Sequence, residues 1–207
     1  HELKTPVAII NGYIEALQDG IIEETEKEKI YEIIYNEAMS IDKLVKDINS
    51  YLKSEFKDLK PTFEKVNMKK VIEFGLKKYS LDIEQKKVDL KLELEDLEIR
   101  TDVKIFNIIL NNLLTNALTY MNDEKKLGIY LRDNSLVIEN SADTISDEVI
   151  EKIFNPFYKI DSSRNRKYGG TGLGLSIVKN LLEALNLKYS FTYDKDRKFA
   201  KFTIIFL

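Results

Sequence analysis

The first 55 residues carry two apolar stripes that repeat at alternating spacings of three and four, and this pattern constrains the fold more than any other feature. Leu3, Val7, Ile10, Ile14, Leu17 and Ile21 form the first stripe. Ile30, Ile34, Glu37, Ile41, Leu44, Ile48 and Tyr51 form the second, with only Glu37 breaking it. Such alternation is a heptad seam, which holds one line of side chains against a partner helix. The spacing predicts two helices joined through Asp19-Gly20 and the acidic run Glu23-Glu24-Thr25-Glu26. Gly20 suits the end of the first helix, and the acidic residues favour the N-terminus of the second. Two helices alone make a thin core, so a second copy is expected to complete a four-helix bundle. Pro6 inside the first pattern predicts a local kink.

Lys57 to Pro61 is polar and ends in proline, which sets a boundary between a helical region, 1–57, and a second domain, 62–207. Beyond it the pattern alternates. Thr62–Val66 reads as a strand, and Asn67 as the cap of a helix through Tyr79. Val88–Leu94 alternates apolar and charged residues, as a half-buried strand does. Asp102 opens a strongly apolar helix to about Met121. Leu127–Leu131 and Ser135–Asn140 read as a hairpin around Asp133-Asn134. Ser146 caps a short helix to Ile153, and a loop rich in Ser, Arg and Gly runs on to Thr171. Gly172–Leu185 is a helix, and Lys188–Tyr193 with Phe199–Phe206 closes the chain as a hairpin. The expected fold is a two-helix hairpin followed by an α+β sandwich, a mixed sheet on one side and three helices on the other.

Composition narrows the chemistry. The net charge is -3, so a nucleic-acid partner is not indicated. One histidine and no cysteine leave no ligand set for zinc and no disulfide framework. No apolar run approaches the ~20 residues that span a bilayer. The first helical pattern is already in progress at His1, so the chain reads as part of a longer one.

Four clusters carry chemistry. His1-Glu2-Leu3-Lys4-Thr5-Pro6 pairs an imidazole with a carboxylate. A neutral imidazole can attack a phosphoryl group while a neighbouring carboxylate takes its proton, although a lone surface histidine fits the same residues. Asn112 and Asn116, four apart on an apolar helix, share a face. They need polar partners there: structural hydrogen bonds, or a hydrated magnesium ion held by phosphates. Asn140-Ser141-Ala142-Asp143-Thr144 ends a strand, followed by Phe154-Asn155-Pro156-Phe157. An amide there can read a ligand's hydrogen-bond pattern, or can simply belong to a turn. Gly169-Gly170-Thr171-Gly172-Leu173-Gly174 opens a helix, whose free N–H groups can hold phosphate oxygens. A flexible hinge is the plainer alternative.

Taken in order, these clusters closely resemble the sensor histidine kinases. His1–Pro6 is similar to the family's H box, Asn112–Asn116 to its N box, and Asn140–Thr144 to its first glycine box. Phe154 and Phe157 resemble the F box, and Gly170, Gly172 and Gly174 the second glycine box. The resemblance implies the histidine kinase, gyrase and chaperone type of ATP-binding sandwich, with ATP and Mg2+ as cofactors. It implies that His1 is phosphorylated from ATP with Glu2 as proton acceptor, and that Asn116 helps coordinate magnesium. Asn112 would contact the phosphates, Tyr120 and Asn140 would lie about the base, and Phe157 would belong to the nucleotide site. Lys159, Arg164 and Arg166 would neutralise phosphate charge near Gly170, Thr171, Gly172, Leu173 and Gly174. The phosphoryl group would pass to an aspartate in the receiver domain of a response regulator. Thr5 matches the position that orients water for regulator dephosphorylation. The family also implies a homodimer through the N-terminal helices. Its parent proteins lie at the inner face of the bacterial plasma membrane, with membrane segments upstream.

Four positions depart from the family pattern. Asn140 replaces an aspartate, Ala142 and Thr144 replace glycines, and Thr119 stands where many relatives carry a cation. Losing both glycines is expected to stiffen the loop and add bulk near the base. That leaves a second reading, a non-catalytic dimeric scaffold that binds the regulator. Related ATPases that hydrolyse with water carry a glutamate where this chain has Asn112, which cannot act as a general base.

Overall fold

The computed structural model describes residues 3–55, 59–159 and 171–206. Helices α1 (Lys4–Gln18) and α2 (Lys27–Glu55) form the expected hairpin, with a 3-10 turn at Glu24–Glu26 leading into α2. Gly20 ends α1 with φ +68. Ile21 N–H reaches the Ala16 carbonyl and Gly20 N–H the Leu17 carbonyl, a Schellman pairing that satisfies the last open acceptors. Pro6 lies within α1 and is buried.

The second stripe packs as its spacing predicts, with Ile30 and Leu44 buried. The first is split: Ile10 and Leu17 are half-buried, while Leu3, Val7, Ile14 and Ile21 stay exposed, Ile21 at 72%. A single chain therefore covers only part of its own seam.

The sandwich is built from β1 (Glu64–Asn67), α3 (Met68–Lys77), α4 (Ser80–Gln85), β2 (Asp89–Leu94), β3 (Glu98–Thr101), α5 (Val103–Thr119), β4 (Lys126–Arg132), β5 (Ser135–Ser141), α6 (Asp147–Lys152), α7 (Gly174–Ala184), β6 (Lys188–Asp194) and β7 (Phe199–Ile205). Five strands form one sheet in the order β2-β4-β5-β7-β6. Only the β2–β4 pair is parallel. The β4–β5 hairpin turns at Asp133 and Asn134, both at positive φ, the geometry that matches strand twist. Helices α3, α5 and α7 cover one face and bury Met68, Ile72, Phe106, Leu114, Ile177 and Leu182 against it. Among the described residues no helix is long and apolar enough to cross a membrane.

Two details depart from the expected elements. The helix begun at Asn67 stops near Lys78, and α4 follows as a separate turn. β1 leaves the main sheet and pairs antiparallel with β3, a strand of four residues.

Asp102 anchors the start of α5. Its carboxylate accepts from Lys104 N–H at 2.9 Å, Ile105 N–H at 3.1 Å and Thr62 N–H at 2.8 Å. Burial pushes its pKa up, but the Thr62, Ile105 and Lys104 donors together outweigh that and hold it below the ordinary value. The carboxylate therefore stabilises the fold above its unfolded pKa, and the contribution fades as pH falls through the lowered folded value. Asp102→Ala is expected to cost about 1–2 kcal/mol, read as a lower denaturation midpoint near neutral pH. The gap between variant and parent should narrow in acid.

Candidate functional site

α5 supplies the floor of the site. Its Leu114 and Leu118 are buried in the core, Asn111, Asn112, Thr115, Asn116 and Thr119 line a cavity of about 1210 Å³, and the buried Leu113 and Ala117 lie between the two. The helical period thus divides one segment between folding and chemistry. The remaining walls come from Tyr120, the end of β5, residues 142–145, the start of α7, and Lys43 and Asp47 of α2.

The glycines of the last motif govern two close approaches. Gly174 begins α7, and a Cβ there would stand 3.1 Å from Asn112 Oδ1 and 3.5 Å from the amide atoms of Asn116. Asn112 spends its amide nitrogen on the Ile108 carbonyl at 2.8 Å, so the oxygen is the atom turned toward Gly174. No side chain caps the first turn of α7. Its open N–H groups and positive dipole end meet the asparagine pair in one place, an arrangement suited to an anion and its counter-cation. Gly172 has φ +73, and a Cβ there would lie 2.7 Å from the Phe157 carbonyl carbon. The two segments are clasped by a bond from Phe157 N–H to the Gly172 carbonyl at 2.9 Å.

At the other end, Asn140 is buried and its amide nitrogen donates to the Ser141 carbonyl at 2.9 Å. That bond fixes the amide orientation and leaves Oδ1 as an acceptor. The strand alternation sends its neighbour Glu139 to the opposite face, where it accepts from Tyr130 and Arg197. Burial pushes the Tyr120 phenol pKa up, so the ring is neutral at physiological pH.

The expected stiffening around Ala142 and Thr144 takes a different form. Neither residue has a positive φ. Ala142 pairs with Met121 in a β-bridge, and its N–H donates to the Lys198 carbonyl. Its methyl group packs with Ile145 and Ala200. The glycine of the family pattern is thus replaced at Ala142 without backbone strain, and both Ala142 and Thr144 line the cavity.

Most of the expected site residues that the structure describes meet in this cavity: Asn112, Asn116, Tyr120, Asn140, Lys159, Thr171, Gly172 and Gly174 all line it. Three do not. Leu173 is fully buried in the core and anchors the start of α7. Phe157 is half exposed and contributes its backbone clasp, not its ring. Thr5 is exposed on α1 and stands apart from the cavity walls. His1, Glu2, Arg164, Arg166 and Gly170 lie outside the described residues. Lys43, Asp47, Lys78 and Tyr79 join the site without a local motif to announce them. The Tyr79 hydroxyl lies 3.1 Å from Thr115 Oγ1 and 3.3 Å from Asn111 Oδ1, pinning α5 beside the asparagine pair.

Residues 101–207 match the family of histidine kinase-, DNA gyrase B- and HSP90-like ATPases, and residues 1–56 match the His kinase A phospho-acceptor domain. The chain belongs to the sensor histidine kinases. It is 32% identical to the signal transduction histidine-protein kinase BaeS of Escherichia coli over 191 residues, 90% of this chain and 40% of BaeS. It is 28% identical to the sensor protein kinase WalK of Staphylococcus haemolyticus over 193 residues, 90% of this chain and 32% of WalK. The chain therefore spans a third to two-fifths of the length of these kinases. Among solved structures, histidine kinase ThkA in complex with response regulator protein TrrA aligns with a TM-score of 0.77 and 25% identity, covering 100% of this chain and 59% of that one. Both halves of this histidine kinase core, the helical hairpin and the mixed-sheet sandwich, thus have counterparts in the family.

Proposed function

We propose that the chain is a phosphoryl-transfer core that phosphorylates His1 from ATP and hands the group to an aspartate of a response regulator. Residues 1–57 would be the dimerisation and phosphotransfer unit, and residues 62–207 the ATP-binding unit. The observation that carries this reading is the uncapped start of α7 held against Asn112 and Asn116 by Gly174. The adenine amine would donate to Asn140 Oδ1, with Tyr120 beside the base. The triphosphate would lie along the α7 N–H groups, with Lys159 nearby. Asn116, whose amide oxygen is a hard ligand suited to Mg2+, would hold the ion that offsets triphosphate charge.

In the first step a neutral His1 nitrogen attacks the γ-phosphorus. The bond to the ADP oxygen breaks, ADP departs with the electron pair, and Glu2 takes the imidazole proton. In the second, a regulator carboxylate attacks the same phosphorus and the P–N bond breaks, regenerating the imidazole. Positioning and charge stabilisation supply most of the rate. Thr5 would orient a water for the reverse task of dephosphorylating the regulator. Leu3, Val7, Ile14 and Ile21, left exposed in one chain, support pairing with a second copy. ThkA bound to TrrA supports a receiver-domain partner. The sensing and membrane segments of the parent protein would lie upstream of His1.

Transfer of labelled γ-phosphate from Mg-ATP tests the reading on a chain extended upstream of His1. Acid-labile label is expected on the parent chain and none on a His1→Gln variant. Absence of both label and ATP binding in the extended chain would sink the proposal.

A further inference from the structure

α2 reaches into the cavity from outside the sandwich. Asp47 Oδ2 accepts a hydrogen bond from Thr171 Oγ1 at 2.7 Å, across 124 residues of sequence. Thr171 is buried, precedes Gly172, and also receives the Leu173 N–H at 3.4 Å. A second tie lies further along the same pair of helices, where Asn180 Nδ2 donates to Ser54 Oγ at 3.2 Å. Asp47 and Thr171 both line the cavity that opens at the start of α7. A carboxylate thus occupies a donor of the glycine run that an anionic ligand would also use.

Both ligands cannot hold that place equally well. A triphosphate and a carboxylate are both acceptors and both negative, and neither can donate to the other at neutral pH. Bringing them together in a partly buried cavity is unfavourable in proportion to the low local dielectric. Among the described residues, the cavity walls carry Lys43, Lys78 and Lys159 against Asp47, Asp123 and Asp143. Removing one carboxylate therefore leaves a net positive wall.

We propose that Asp47 makes nucleotide binding and docking of α7 on α2 antagonistic, so that ATP displaces the Asp47 carboxylate from Thr171 and frees the ATP-binding unit from α2. The inference rests on the ATP site argued above and adds a residue from the phosphoacceptor hairpin that sets its affinity. Thermodynamic reciprocity follows: whatever strengthens the α2–α7 contact weakens ATP binding by the same factor.

Two measurements on the full chain test this. Calorimetric titration compares Mg-ATP and adenosine binding to the parent and to Asp47→Asn. ATP should bind the variant about 5- to 10-fold tighter and adenosine equally, since only the phosphates meet Asp47. The chain has no cysteine, so Lys53→Cys and Glu183→Cys can carry a unique pair of spin labels on α2 and α7. The distance between them should lengthen when ATP is added. Equal ATP affinity in parent and variant, an equal gain for adenosine, or an unchanged label distance overturns the proposal and leaves the ATP site standing. Failure of parent and variant alike to bind ATP overturns both.

Discussion

A Gly172→Val variant should lose nucleotide binding by roughly 100-fold or more while its helices still form, a drop of about 2.7 kcal/mol in binding free energy. Gly172 combines two demands. Its φ of +73 is a conformation that costs an L residue about 1–2 kcal/mol, and a β-branched residue more. A Cβ would also stand 2.7 Å from the carbonyl carbon and 2.9 Å from the Cα of Phe157. Those are backbone atoms, so no side-chain rotation relieves the contact. The clasp from Phe157 N–H to the Gly172 carbonyl must open, and α7 then loses its approach to Asn112. Gly174→Ala is the informative control, because its Cβ meets only side-chain amide atoms at 3.1 and 3.5 Å. Isothermal titration with ATP, alongside circular dichroism, separates loss of the site from loss of the fold. Unaltered affinity in the valine variant would mean that the glycine run does not shape the phosphate end of the cavity.

Phe106→Ala should remove about 3–5 kcal/mol of stability, visible as a shifted midpoint in urea with an unchanged slope. Phe106 is fully buried on α5 and its ring lies 5.9 Å from that of Phe206 at the end of the last strand. The cavity left behind would border the Phe206 ring. Against a typical domain stability of about 5–15 kcal/mol, the loss is large. A cost near 1 kcal/mol would instead mean that α5 and the closing strand can collapse onto each other.

Much of this was legible because local signals and tertiary structure agree. Asn67, Asp102 and Ser146 each accept a backbone N–H at a helix start, as their positions imply. Asp133-Asn134 is short, polar and tolerant of positive φ, so the hairpin could be read from two residues. The strand Glu98–Thr101 escaped because four residues give too little alternation to register, and its partner is β1, not a neighbour in sequence. The helix from Asn67, read through Tyr79, ends within two residues of that point, and α4 escaped because its six residues make fewer than two turns of pattern. In the site, the asparagines and glycines announced themselves through their unusual setting. Leu173 did not distinguish itself from its neighbours, since a glycine run reveals where a backbone is exposed but not which side chain turns inward. Asp47 carries no local signal, because only the folded chain brings α2 to Thr171.

The division of α5 between core and cavity has a consequence for the lifetime of the molecule. Whatever occupies the cavity holds the same helix that Leu113, Leu114, Ala117 and Leu118 pack beneath the sheet. A ligand that binds only the folded chain adds to its stability by mass action, about 2.7 kcal/mol at a hundredfold excess over its dissociation constant. Such occupancy would make the unfolded fraction roughly a hundred times smaller. Resistance to proteolysis would then rise and fall with the supply of the ligand, so a starved cell would turn this sandwich over faster than a replete one.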